Sequence, residues 1–116
     1  MLCPHDRHER VGTTRDADAA TIDRAAAAAS GATHAWDRMG GPARAQILEK
    51  AADLVERRRA HLIGIMVREA GKTIEAAHGE VREATDFLRY YAGEARRLFS
   101  GPVKLPGPTG ESNTID

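Results

Sequence analysis

Apolar positions between Ile47 and Leu98 recur at helical spacing, in three stretches separated by polar or glycine-bearing breaks. The first holds Ile47, Leu48, Ala51, Leu54 and Val55, a one-sided stripe at i, i+1, i+4, i+7 and i+8. Pro42 sits in its first turn, where a missing N–H costs nothing. The second holds Leu62, Ile65, Met66 and Ala70, as a continuation of the first helix or a helix of its own. It stops at Gly71, which can take the left-handed conformation that closes a helix. The third is the clearest. From Thr73 to Phe99 the apolar residues fall at 77, 81, 84, 88, 91, 95 and 98, at intervals alternating between 4 and 3. A continuous helix over 73–99 would be about 40 Å long. Such a stripe is a core face or a partner seam rather than a cofactor box. Glu75 near its start and Arg96 and Arg97 near its end complement the helix dipole.

Ahead of these stretches, Asp18 is placed to cap a run from Ala19 to Ala29 with strong helix propensity. Gly31 weakens that helix, which either continues to Trp36 or restarts. Asp37 to Gly41 reads as a connector. Residues 1–15 are polar, with Val11 to Thr14 as a short extended piece. The tail from Gly101 to Asp116 has six Gly or Pro residues and no periodicity. Pro102, Pro106 and Pro108 forbid helix there. The predicted fold is mainly α: three or four helices over 17–100, an extended lead-in over 1–16 and an extended connector over 101–116.

Composition narrows the picture. A chain of 116 residues makes one domain at most. Seventeen Lys and Arg balance seventeen Asp and Glu, and a nucleic-acid binder needs a basic surface that this chain lacks. The run Glu56-Arg57-Arg58-Arg59 is locally basic and suits the solvated last turn of a helix. The chain has no apolar run of 18 residues to span a membrane, and its first residues have no apolar signal region. A single cysteine, Cys3, permits no internal disulfide and fits a reducing, cytoplasmic setting. Much of the apolar content is alanine, which buries little area, so an independent core would be thin. The all-helical body needs something further to pack on.

Little in the residues supports catalysis. Arg68-Glu69-Ala70-Gly71-Lys72-Thr73 ends like a phosphate-binding loop, G-x-x-x-x-G-K-[ST], but the first glycine position is Met66, and no strand precedes it. A helix stop at Gly71 and a cap for the next helix at Thr73 account for the tripeptide. Cys3 reads as an inert thiol in a poorly structured start with no ordered base nearby. His5 and His8 would be two metal ligands without a third. His34, His61 and His78 read as surface residues on helices. No Ser-His-Asp arrangement, G-x-G-x-x-G or C-x-x-C occurs. Glu80 and Glu83 lie one turn apart beside the apolar stripe, on the side of Phe87. On spacing alone Glu83 is a solvated carboxylate, or the partner of Arg82 or Arg89.

In order, the segments resemble a known family. The order is PHDRHERVGTTRDA, an alanine-rich helix ending at Ala35-Trp36, a helix start with Pro42 and Arg44, and Ala-Asp-Leu at 52–54. Glu-Ala-Gly-Lys at 69–72 and Leu-Arg-Tyr-Tyr-Ala-Gly at 88–93 follow. This is similar to the N-terminal part of NAD-dependent aldehyde dehydrogenases, over about residues 4–113. REAGKT, EVREATDFLRYYA and LPGPTGESN resemble the L-glutamate γ-semialdehyde (Δ1-pyrroline-5-carboxylate) dehydrogenase domain of bacterial bifunctional proline-utilisation proteins.

The resemblance implies a part of an α/β fold without its Rossmann-like sheet. It implies proline catabolism, with NAD as the cofactor of a full-length, homo-oligomeric enzyme and the rest of the dehydrogenase domain as the partner of this chain. The family's chemistry is thiolate attack on an aldehyde, hydride transfer to NAD and thioester hydrolysis. Its nucleophilic cysteine, base and cofactor site have no counterpart here, and Cys3 does not match the nucleophile. A truncated, inactive piece is therefore expected, with no catalytic, cofactor-binding or metal residue. At Glu83 the semialdehyde subtype resembles this chain in having glutamate, which implies a residue lining the substrate pocket. The alternative from a different class is a free-standing helical interaction module docking a partner helix on the 77–98 stripe.

Overall fold

The computed structural model describes residues 1–115. Four helices follow one another: α1 (Ala19–Arg38), α2 (Gly40–Arg57), α3 (Arg59–Ala70) and α4 (Ile74–Leu98). A two-stranded antiparallel hairpin closes the chain, β1 (Val103–Leu105) against β2 (Asn113–Ile115), with Lys104 opposite Thr114. The mainly helical architecture matches the expectation. The tail is extended as expected, and its two ends pair with each other around the Gly107–Gly110 turn. Asp116 lies outside the described residues.

The helix boundaries follow local chemistry. Asp18 caps α1 by accepting from the Thr21 amide at 2.8 Å. The helix passes through Gly31 without a break. The connector expected over Asp37 to Gly41 shrinks to Met39, because Gly40 takes φ 74° and redirects the chain at once. Between α2 and α3 a single residue, Arg58, leaves helical geometry. Gly71 closes α3 at φ 67° and Thr73 caps α4 by accepting from the Ala76 amide at 3.1 Å.

The core is a seam of small residues. Gly41, Ala45 and Ala52 of α2 are buried, as are Ala77, Val81, Thr85 and Ala92 of α4. The two helices run antiparallel: the Gly41 amide donates to the Phe99 carbonyl at 3.1 Å, and Asp53 pairs with Arg89 at 3.6 Å. A Cβ on Gly41 would stand 2.3 Å from the Ala95 carbonyl oxygen, so only glycine permits this approach. The expected stripe on α4 is corrected at three places: Ala84, Tyr91 and Leu98 are exposed. Thr85 and Ala92 are buried beside the first two of these, because backbones this close admit small side chains only. The Thr85 hydroxyl donates to the Val81 carbonyl at 2.9 Å and so enters the core without an unpaired polar group.

Outside the seam little is covered. Among the described residues none of α1 is buried, and Ile22, Trp36, Ile47, Leu54, Phe87, Tyr90 and Tyr91 are all more than 40% exposed. The radius of gyration is 20.5 Å. A compact domain of this length has about 13 Å. No helix among the described residues is long and apolar enough to cross a membrane.

The start of the chain departs from the expectation of a poorly structured segment. Leu2 and Arg10 form an antiparallel bridge, and the Cys3 amide donates to the Glu9 carbonyl at 3.0 Å. The loop docks on the end of α3, where Arg68 donates to Glu9 at 3.0 Å and Pro4 lies against Gly71.

Candidate functional site

Glu83 stands in the middle of α4, two residues past Val81 and two before Thr85, on the face that turns away from the alanine seam. It is exposed, and among the described residues it makes no ion pair with Arg82 or Arg89. Arg82 pairs with Asp86 at 3.7 Å, one turn along the same helix, and Arg89 crosses to Asp53 on α2. Glu80 is diverted to Lys72 at the α3–α4 turn, where it edges an apolar groove lined by Val55, Leu62, Ile65, Met66, Val81 and Ala84. The two neighbouring glutamates therefore serve different surfaces.

The surface at Glu83 is an open groove of about 420 Å³, lined by Gly79, Arg82, Glu83, Asp86 and Phe87. All five residues come from α4. Phe87 is half-exposed and stacks on Tyr91, centroids 6.2 Å apart and planes 25° apart, and Tyr90 meets Tyr91 edge-on at 5.2 Å. A carboxylate held beside an aromatic face is chemically suited to a cationic group, through charge and through the ring quadrupole. The groove holds no nucleophile.

The other sequence candidates do not come together. Cys3 is 4% exposed, held inside the N-terminal loop. The five histidines are all exposed, and no group of three metal-ligating side chains occurs among the described residues. Gly71, Lys72 and Thr73 are each occupied structurally: Gly71 closes α3, the Lys72 ammonium pairs with Glu80, and the Thr73 hydroxyl caps α4. The described residues do not fit NAD. The one sheet among them is an antiparallel hairpin of three-residue strands, without the parallel strand and glycine-rich turn that hold a pyrophosphate.

Sequence reasoning noted Trp36 and Arg44 as a pattern and missed what they build. The Arg44 guanidinium lies 5.5 Å from the Trp36 ring centroid and 5.1 Å from that of Phe99. It also donates to the Trp36 carbonyl at 3.0 Å and the Asp37 carbonyl at 2.7 Å. One side chain thus ties the end of α1, the start of α2 and the end of α4 together. Further along the α2–α4 pair, Arg96 donates to Glu49 from both terminal guanidinium nitrogens, one at 2.9 Å. Those hydrogen bonds hold the Glu49 carboxyl below its ordinary value, as the Arg97 guanidinium does for Glu94.

Comparison with known proteins places this arrangement. The aldehyde dehydrogenase family matches residues 1–115. The bifunctional protein PutA of Klebsiella aerogenes is 43% identical over 93% of the chain and 8% of its own length. The alpha-ketoglutaric semialdehyde dehydrogenase of Bacillus subtilis is 39% identical over 81% of the chain and 19% of its own. The 1-pyrroline-5-carboxylate dehydrogenase of a Geobacillus strain (WCH70) is 34% identical over 95% of the chain and 21% of its own. The chain thus spans about a fifth or less of the length of these relatives. A crystal structure of proline utilization A from Bradyrhizobium japonicum superposes with a TM-score of 0.77 at 46% identity, over 87% of the chain and 10% of that protein. With its sequence matched nearly end to end, the chain belongs to the aldehyde dehydrogenase family.

Proposed function

We propose that this chain supplies the helical scaffold and one wall of the substrate tunnel in an NAD-dependent L-glutamate γ-semialdehyde dehydrogenase. The enzyme would oxidise the semialdehyde to glutamate in proline catabolism, in the cytoplasm and as a homo-oligomer. The observation that carries this reading is the match to PutA and to a 1-pyrroline-5-carboxylate dehydrogenase over 93% and 95% of the chain. The exposed groove at Glu83 supports it. Glutamate semialdehyde bears an ammonium group, and a carboxylate beside Phe87 is a fitting neighbour for one. The partner of the chain is the remainder of a dehydrogenase domain, which would cover the exposed apolar residues and bring nucleophile, base and NAD site.

The chain alone is then inactive. Purified chain with NAD and the semialdehyde is expected to give no NADH absorbance, and turnover would refute this. The role of Glu83 is tested in Klebsiella aerogenes PutA carrying residues 1–115 in place of its matching segment. Glu83→Gln is expected to raise KM for the semialdehyde by about tenfold. An unchanged KM would remove Glu83 from the pocket.

A second reading, a free-standing helical interaction module, draws on the exposed trio Phe87, Tyr90 and Tyr91. Gel filtration of the isolated chain separates the two. A helical species that stays monodisperse as its concentration rises favours the module. A helical chain that self-associates through its exposed apolar residues favours the dehydrogenase part.

A further inference from the structure

Four glycines stand inside helices with nothing within 4 Å of a built Cβ: Gly31, Gly64, Gly79 and Gly93. A glycine in a helix interior weakens it relative to alanine, and no contact within this chain calls for one at these four positions. Openness alone therefore singles out none of them. What sets Gly79 apart is its place. It lines the same groove as Glu83 and Phe87, one turn ahead of Glu83 on the same face of α4.

Helical side chains lean toward the N-terminus of their helix, so Glu83 extends over the turn that contains Gly79. A side chain at 79 would occupy the floor of the groove beside that carboxylate. Arg82 and Asp86, paired with each other at 3.7 Å, line the opposite side of the groove. The groove thus runs between that ion pair and the carboxylate and ring of Glu83 and Phe87, with bare backbone at Gly79 between the two sides.

We propose that Gly79 is a specificity-determining residue, kept as glycine to leave room beside Glu83 for the charged head of an amino-acid semialdehyde. This rests on the reading of Glu83 as a pocket residue. The helix carries an avoidable weakness at Gly79 in exchange for clearance, and enlarging the residue favours small aliphatic aldehydes over the amino-acid one.

The test has two parts. In the isolated chain, Gly79→Ala is expected to raise helicity and the melting temperature, and so is Gly64→Ala. A lower melting temperature would mean that Gly79 is required by packing and would overturn the proposal, whatever the kinetics. In the PutA chimaera described above, Gly79→Leu is expected to lower the ratio of kcat/KM for glutamate semialdehyde over propanal by about tenfold or more. An unchanged ratio overturns the proposal. Glu83→Gln, assayed alongside, separates the failures. If it alters KM while Gly79→Leu leaves the ratio intact, only the role of Gly79 falls. If neither variant matters, the reading of Glu83 falls with it.

Discussion

The amide of Gly41 donates to the carbonyl of Phe99 at 3.1 Å, so the first turn of α2 satisfies a carbonyl left open where α4 ends. This contact fixes how close the two helices come. Gly41→Ala is expected to destabilise the chain by about 1–3 kcal/mol, since the new methyl meets two backbone carbonyls that cannot step aside. Gly64→Ala, in open space on α3, is expected to stabilise by about 0.5–1 kcal/mol. Thermal melts of the pair by circular dichroism check both, and equal effects would discount the seam.

Gly71 tests the turn that resembles a phosphate loop. Its φ of 67° is the left-handed conformation. Gly71→Ala is expected to cost about 1–2 kcal/mol, and Gly71→Asn less, because asparagine tolerates that region. A Cβ there would also lie 3.4 Å from Pro4 of the N-terminal loop. Denaturant unfolding of the two variants ranks them. A nucleotide-binding role would instead show as ATP-dependent stabilisation of the unmodified chain, and none is expected.

Arg44 joins three elements, and lysine cannot replace it. A guanidinium forks to two carbonyls while lying against two rings; an ammonium offers one compact charge. Arg44→Lys is expected to cost about 1–2 kcal/mol and to loosen the last turn of α1. Faster amide exchange at residues 34–38 and red-shifted Trp36 emission would report it. Unchanged emission would show that α1 is held by something else.

The helices and their stops were legible because each carries a local signal: Asp18 and Thr73 cap, Gly71 turns, and apolar residues recur at helical spacing. The seam was half legible. Periodicity marked the correct side of α4 but chose Tyr91 over Ala92, since a hydrophobicity pattern rewards size and a glycine–alanine contact excludes it. The order in residues 1–12 was not legible, because it depends on Glu9 meeting Arg68 across the chain. Arg44 was visible as part of a family pattern, yet its three contacts come from segments distant in sequence. Glu83 was reached by resemblance alone. Its exposed place on α4 is what any solvated glutamate would show, and only the groove with Phe87 adds to that.

Acid is expected to destabilise the chain through carboxyls that are lowered in the folded state, Glu49 among them. Hydrogen bonds from Arg96 hold its carboxyl below the ordinary value, Arg97 does the same for Glu94, and Thr21 does so for Asp18. A group lowered in the folded state binds fewer protons there than in the unfolded chain. Its contribution is complete above the unfolded carboxylate range and is lost as pH falls through that range to the folded value. The melting temperature is therefore expected to be flat from pH 8 to about pH 6 and to fall below about pH 5. Glu49 and Arg96 are both more than 40% exposed at the side chain, so salt should weaken the effect. Glu49→Gln is expected to lower the neutral plateau and flatten the acid slope. Arg96→Gln should do the same, and the double variant should add little to either, because both substitutions remove one interaction. Additive losses would show that the two residues act separately, and that the α2–α4 pair is held by its small-residue seam without help from this ion pair.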